Sequence, residues 1–292
     1  MRATLVALLL LHALLPAPPA SALALLGETL TIEAAFPEDP AHLSFEIVAT
    51  DSTVRVIGGG YLRPPHDVEL RGASVLEIDS LALSRSELRN LEVYDDSQVF
   101  LRGGLLSEFG SDFSFFDRSH LEIAGGGITE TRLRFAGEST GVMSSGTLAT
   151  YADLTVTEDA EFSITDGLIF QWAALVFAGA LVEISGGYIQ ESPLALSGVS
   201  FESGLAVVRG GEWVFPGERG WVIGGALVRV YGTGLAVSGG RLTGTLADGH
   251  ALDIAVEGNL ENLELVPEPG ASALFALACG AMLARRARRA RS

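Results

Sequence analysis

The chain has 292 residues, is 48% hydrophobic and 19% charged, and carries 35 Gly and a formal charge of −17. That length holds one elongated domain or two compact ones, and the apolar content supports a core rather than disorder. All 19 basic residues are Arg; between the two ends 13 Arg face 35 acids, about −22, which repels phosphates and excludes nucleic acid, while the lone Cys279 excludes a disulfide framework or a multi-Cys metal site.

Residues 1–24 read as a secretory signal. Met1-Arg2 is a short positive start, and Leu5 to Leu15 is an apolar run ended by Pro16, Pro18 and Pro19. That run is too short for a ~30 Å hydrocarbon core, which needs ~20 helical residues. Ala20-Ser21-Ala22 and Ala22-Leu23-Ala24 both offer small residues at the −3 and −1 positions that a signal peptidase reads. Residues 25–50 then precede the first clear repeat and are expected to cap an open strand edge.

Residues 51–258 repeat. Gly58-Gly59, Gly103-Gly104, Gly125-Gly126, Gly186-Gly187, Gly210-Gly211 and Gly239-Gly240 are glycine pairs, with degenerate copies at Ser80-Leu81, Ser145-Gly146 and Asp166-Gly167. Successive markers stand 20 to 29 residues apart, most of them near 22. Ahead of each marker lie two apolar residues separated by one: Val54/Val56, Leu76/Ile78, Val99/Leu101, Leu121/Ile123, Gly141/Met143, Phe162/Ile164, Val182/Ile184, Ala206/Val208 and Leu235/Val237. Alternation at period two is a strand with one buried face. A small residue opens most copies (Ser52, Ser74, Ser97, Ser119, Ser139, Ala160, Ala180). Four positions before it stands another apolar side chain, Leu70, Val93, Phe115, Phe135, Val156 or Val176. Each copy thus holds two or three short strands with glycine corners.

A compact domain has no use for nine such copies, whereas a coil stacks them ~4.8 Å apart in parallel, to roughly 40 Å. The expected fold is all-β: a parallel, right-handed β-helix solenoid of about nine turns, with an N-terminal signal helix and a short C-terminal transmembrane helix. Glu212 to Gly225, with Trp213, Pro216 and Trp221, is expected to leave the coil as a loop or hairpin. Residues 259–265 are a cap or linker.

Residues 266–292 have three parts. Val266-Pro267-Glu268-Pro269-Gly270 is a polar break, Ala271 to Ala284 is apolar, and Arg285, Arg286, Arg288, Arg289 and Arg291 form a basic cluster. The positive-inside rule keeps such a cluster cytoplasmic and the rest on the far side. A span of ~14–15 residues suits a processed anchor better than a permanent helix. This string resembles the PEP-CTERM sorting signal. The resemblance implies a substrate of an exosortase-type transpeptidase in a Gram-negative bacterium that makes exopolysaccharide. It also implies recognition through Pro267, Glu268 and Pro269 and cleavage near them. The precursor would be tethered in the inner membrane, and the product placed at the cell surface or in the extracellular matrix.

Chemistry-bearing patterns are sparse in the sequence. His12, His42, His66, His120 and His250 share no repeat phase, and no phosphate loop or nucleophile elbow is present. Acids do follow the repeat: Asp51, Asp95, Asp96, Asp117, Glu138, Glu158, Asp159 and Glu202 stand just before the small opener. Like charges ~5 Å apart in water repel by ~0.9 kcal/mol. Asp95, Asp96, Asp117, Glu158 and Asp159 therefore form either a hydrated edge or a Ca²⁺ ladder of oxygen ligands. No other cofactor is expected.

Three readings follow. The first is an exported, non-enzymatic surface or matrix protein associated with exopolysaccharide and biofilm. The second is a polysaccharide lyase or hydrolase using Asp95, Asp96, Asp117 and Arg118. The third is an adhesin that binds a protein through outward Leu181, Leu205, Val207 and Ala236 and the apolar segment Leu168 to Phe177.

Overall fold

A computed structural model describes residues 23–33, 35–36, 46–59, 61–62, 66–80, 85–86, 88–150, 154–171, 175–191, 198–215 and 219–268. The expected signal segment through residue 22, Pro269, Gly270, the apolar segment 271–284 and the Arg cluster lie outside the described residues. Within them the chain is a parallel β-solenoid, and its one helical element is the short 3-10 turn Leu260–Asn262.

Each turn offers up to three strands, and each strand pairs in parallel with its counterpart in the next turn. The register confirms the stacking of equivalent side chains. Val54, Leu76, Val99, Leu121, Gly141, Phe162, Val182, Ala206 and Val228 lie over one another along the second-strand column. Ile78, Leu101, Ile123, Met143, Ile164, Ile184 and Val208 form the column beside it. The apolar members of both columns are buried, each side chain stabilising the coil by roughly 1.5–3 kcal/mol.

The first strands stack likewise, with Leu70, Val93, Phe115, Phe135, Val156, Phe177, Phe201 and Ile223 inward. Phe177, and not Val176, occupies this column, because the corner from Ala178 to Ala180 is one residue shorter than its neighbour from Thr157 to Ala160. Third strands place Leu106, Ile128, Leu148, Ile169, Ile189 and Trp213 inward.

Both ends differ from the expectation. Leu23–Leu26 and Thr29–Ile32 already belong to the coil, pairing in parallel with Glu46–Thr50 and Thr53–Gly58. Segment Glu212 to Gly225 supplies strands Glu212–Val214 and Gly220–Ile223 of the coil, and Trp213 and Trp221 point into its core. Their rings meet edge to face at 4.9 Å, with Phe201 a further 5.4 Å from Trp221. The excursion lies later. Strand Leu227–Ser238 runs on past the coil and pairs antiparallel with Arg241–Leu246, which pairs antiparallel with Ala251–Gly258. Ala251–Gly258 then rejoins the first-strand column beside Gly220–Ile223. Leu242, Leu246, Leu252, Ile254 and Val256 are buried in this hairpin, so it closes the end of the core.

Gly239-Gly240 is thus a hairpin tip, and Leu235/Val237 sit on its arm rather than in the coil. The turn count therefore departs slightly from the nine markers. The strand Leu263–Pro267 completes the second-strand column, parallel to Val228–Gly232.

Candidate functional site

The acid corner joins first and second strands. There the chain passes through the left-handed region at Asp51, Asp95, Asp117 and Glu158, with φ of 50°, 58°, 55° and 61°. Gly72 and Gly137 adopt the same conformation, at 67° and 68°. Outside glycine this region costs roughly 1–2 kcal/mol, least for Asp and Asn, whose short side chains hydrogen-bond locally.

These acids bond across turns. Asp95 Oδ2 accepts the Gly72 N–H at 2.8 Å, and Asp117 Oδ2 accepts the Asp95 N–H at 3.2 Å. Glu158 Oε2 accepts the Gly137 N–H at 2.7 Å, and Asp51 Oδ1 accepts the Ala73 N–H at 2.9 Å. A Cβ on Gly72 would stand 2.2 Å from Asp51 Oδ1, so the glycine there makes room for the carboxylate. Charge-assisted bonds of this kind hold the corner in place.

Asp96 points elsewhere. Arg118 donates to it through Nε at 2.7 Å and Nη2 at 2.8 Å, a two-pronged pair on the surface. The Arg118 hydrogen bond holds the Asp96 carboxyl below the usual range, which keeps it ionised and unsuited to act as a general acid. Arg118 is in turn raised by Asp96, so it is a poor base. Asp159 is exposed beside Glu158. The structure thus brings Asp95, Asp117 and Glu158 to one kind of corner and ties each to a backbone donor. Among the described residues no group of three or more His, Cys, Asp or Glu gathers as a metal site.

The inner side of the same corner is a serine ladder. Ser52, Ser74, Ser97, Ser119 and Ser139 are buried. Ser74 Oγ bonds the carbonyls of Ala49 and Arg71 at 2.9 and 2.7 Å and accepts the Ser52 N–H at 3.1 Å. The hydroxyls of Ser52, Ser74, Ser97 and Ser139 bond backbone groups at this bend, whereas the buried Ser119 Oγ has no hydrogen-bond partner among the described residues.

Of the four outward residues expected to form one apolar face, three share the second strands and one does not. Leu181, Leu205 and Val207 lie on the second-strand column, with Val207 only 9% exposed, whereas Ala236 lies on the hairpin. Much of the outer surface is instead charged and paired between turns, as in Arg55–Glu77 at 2.7 Å and Glu77–Arg102 at 2.9 Å. A half-buried aromatic stack also faces outward: Tyr94 and Phe116 at 5.1 Å, with Arg71 5.2 Å from the Tyr94 ring. Burial and the bond to Glu92 push the Tyr94 hydroxyl up to about 12.

A second constellation, not foreseen from sequence, surrounds Arg209. Its guanidinium lies 3.8 Å over the Tyr231 ring, 3.6 Å from Glu183 and 3.9 Å from Glu268. Beside it, Asp248 Oδ2 accepts the Gly211 N–H at 2.6 Å and contacts His250 Nδ1 at 2.9 Å. Burial alone would raise the Asp248 carboxyl, but backbone donors from His250 and Gly211 and the imidazole itself bring it below its ordinary value. The Asp248 bond raises His250. Only Arg209–Glu183, between successive turns, had a signal in the repeat.

Of the residues expected to form a sorting motif, Pro267 and Glu268 are described. Pro267 ends the last strand opposite Gly232, and the Glu268 N–H donates to the Gly232 carbonyl at 2.8 Å. No helix among the described residues is long and apolar enough to cross a membrane. No protein-family model, curated protein or solved structure matches the chain.

Proposed function

We propose that this chain is an exported, non-enzymatic protein of the cell surface or extracellular matrix, delivered through its C-terminal sorting signal. In this reading the coil is wound right-handed, a signal helix precedes it, and a short membrane helix follows it. An exosortase removes that helix, and the acidic coil associates with exopolysaccharide. The observation that carries the reading is the string from Val266 to Arg291, in which a Pro-Glu-Pro break, an apolar run and an Arg cluster follow in order.

The coil's chemistry is consistent with a scaffold. Asp51, Asp95, Asp117 and Glu158 accept backbone N–H groups and Asp96 pairs with Arg118, which supports a structural reason for the position of these five acids. Fold alone does not assign an activity.

The test is the cell fraction and the C-terminal residue of the native protein, read by mass spectrometry. A mature C-terminus within a few residues of Pro267–Pro269, on protein outside the inner membrane, is the expected result. Protein retaining Ser292 in every fraction would overturn the sorting reading. Release of sugar from acidic polysaccharides, lost on replacing Asp95, Asp96 or Asp117, would overturn the non-enzymatic one.

A further inference from the structure

We propose that Arg209 latches the start of the sorting segment onto the coil, so that release of Pro267–Glu268 from the coil's edge limits processing of the folded protein. The inference rests on the sorting reading above and adds how the folded domain regulates that site.

Three contacts converge. Val266 and Pro267 lie opposite Tyr231 and Gly232 as the last paired positions of a parallel edge strand. The Glu268 N–H continues the ladder, donating to Gly232 O at 2.8 Å. The Glu268 carboxylate lies 3.9 Å from Arg209 Nη1, and the same guanidinium is stacked 3.8 Å over Tyr231. A planar guanidinium serves both at once, presenting a face to the ring and an edge to the carboxylate.

Arg209 is itself fixed by the coil. Its N–H donates to Ile184 O at 2.7 Å, and its carbonyl accepts the Asp248 N–H at 3.1 Å. Gly232 is equally constrained, because a Cβ there would stand 2.1 Å from Thr245 O of the hairpin. The latch is therefore built from the last coil turns and the closing hairpin together.

An enzyme that reads Pro-Glu-Pro must surround an extended backbone. A segment whose backbone is paired on one side cannot enter such a cleft until it frays. Edge segments open locally far more readily than the global fold, so the contacts at Glu268 set the open fraction. Pro267 has no N–H to give an incoming strand, which keeps this edge from recruiting another chain in place of the enzyme.

The experiment has two arms. In the first, amide hydrogen exchange at Glu268 is measured in the purified full chain and in a free peptide spanning residues 263–270. Protection in the chain is expected. Arg209→Ala should reduce it by about two- to fivefold, from loss of one exposed ion pair to Glu268. Tyr231→Leu should act in the same direction, which keeps the test decisive if Arg209→Ala does not fold. Exchange in the wild-type chain as fast as in the peptide, or unchanged in both variants, overturns the latch.

In the second arm, the lifetime of the uncleaved form is followed in cells that make the sorting enzyme. Both variants should shorten it. Faster exchange with an unchanged lifetime overturns the claim that release limits processing. Absence of any cleavage of the wild type defeats the sorting reading and with it the claim that release limits processing, while the exchange arm still decides the docking.

Discussion

The carboxylate of Asp117 accepts the backbone N–H of Asp95 at 3.2 Å, and both residues are in the left-handed conformation at the same corner of successive turns. One acid therefore braces the bend that the other makes. Asp117→Ala loses the bond and keeps the unfavourable φ, and is expected to destabilise the protein by about 1–2 kcal/mol in urea melts. Asp117→Gly relieves the φ and should cost less, and Asp117→Asn should stay closest to wild type. Since these oxygens already hold backbone donors, added Ca²⁺ should leave the melting temperature unchanged. A calcium-dependent rise that Asp95→Asn and Asp117→Asn abolish would return the metal ladder to consideration.

Gly141 makes room for a ring in the core. It stands between Leu121 and Phe162 in the second-strand column. A Cβ there would lie 2.4 Å from Phe162 Cδ2 and 2.8 Å from Phe135 Cζ. Phe115, Phe135 and Phe162 follow one another at 5.0 and 5.1 Å, and the Phe162 ring fills the space that Gly141 leaves. Gly141→Ala should cost about 1–3 kcal/mol through overpacking. In a Phe162→Leu background the same substitution should cost less than half of that, because neighbours sharing a space are not additive. Equal costs in the two backgrounds would show that the ring does not occupy the gap.

The strand phase was legible because a coil repeats its burial pattern in the sequence. Leu121, Phe162 and Val182 fall in one column, as their shared offset from the glycine markers requires. Where a corner changes length, a fixed offset fails, which is why Phe177 rather than Val176 faces inward. Glycine pairs carry a weaker message than the strands between them. Gly239 and Gly240 have φ of 59° and 73°, suited equally to a hairpin tip and to a coil corner. Trp213 and Trp221 looked like an insertion because they fall in the longest step between markers, from Gly210 to Gly239, yet they fill the core beside the closing hairpin. The acids were visible as a periodic feature, but their backbone conformation was not. The Arg209–Glu268 contact had no signal, since the hairpin between them hides that the two lie side by side.

The surface pairs between turns should contribute little individually. Glu77 lies between Arg55 and Arg102 and is 17% exposed, while both Arg side chains are close to half exposed. Solvent screens such contacts, so Glu77→Gln should cost no more than about 1 kcal/mol at low salt and less as salt is added. A loss that persists in high salt would indicate packing of the Glu77 stem rather than charge.

Two histidines should pull the pH profile of stability in opposite directions. Asp248 raises His250, so its folded value lies above 6.5; the stability it adds is fully present below 6.5 and is lost as pH rises through the folded value. Burial lowers His120, which is bonded to Thr140 Oγ1 at 2.7 Å and only partly compensated by Glu122. For His120 the unfolded chain takes up its proton first, so stability is intact above 6.5 and falls as pH drops from there towards the lower folded value. Wild type should therefore be most stable near pH 6.5 and lose stability on either side, through His250 above that pH and through His120 below it. His120→Gln should leave a melting temperature that rises as pH is lowered from about 8, through His250 alone. His250→Gln should leave one that falls as pH is lowered from about 7, through His120 alone. Matching slopes in the two variants would mean that neither contact governs the titration of its histidine.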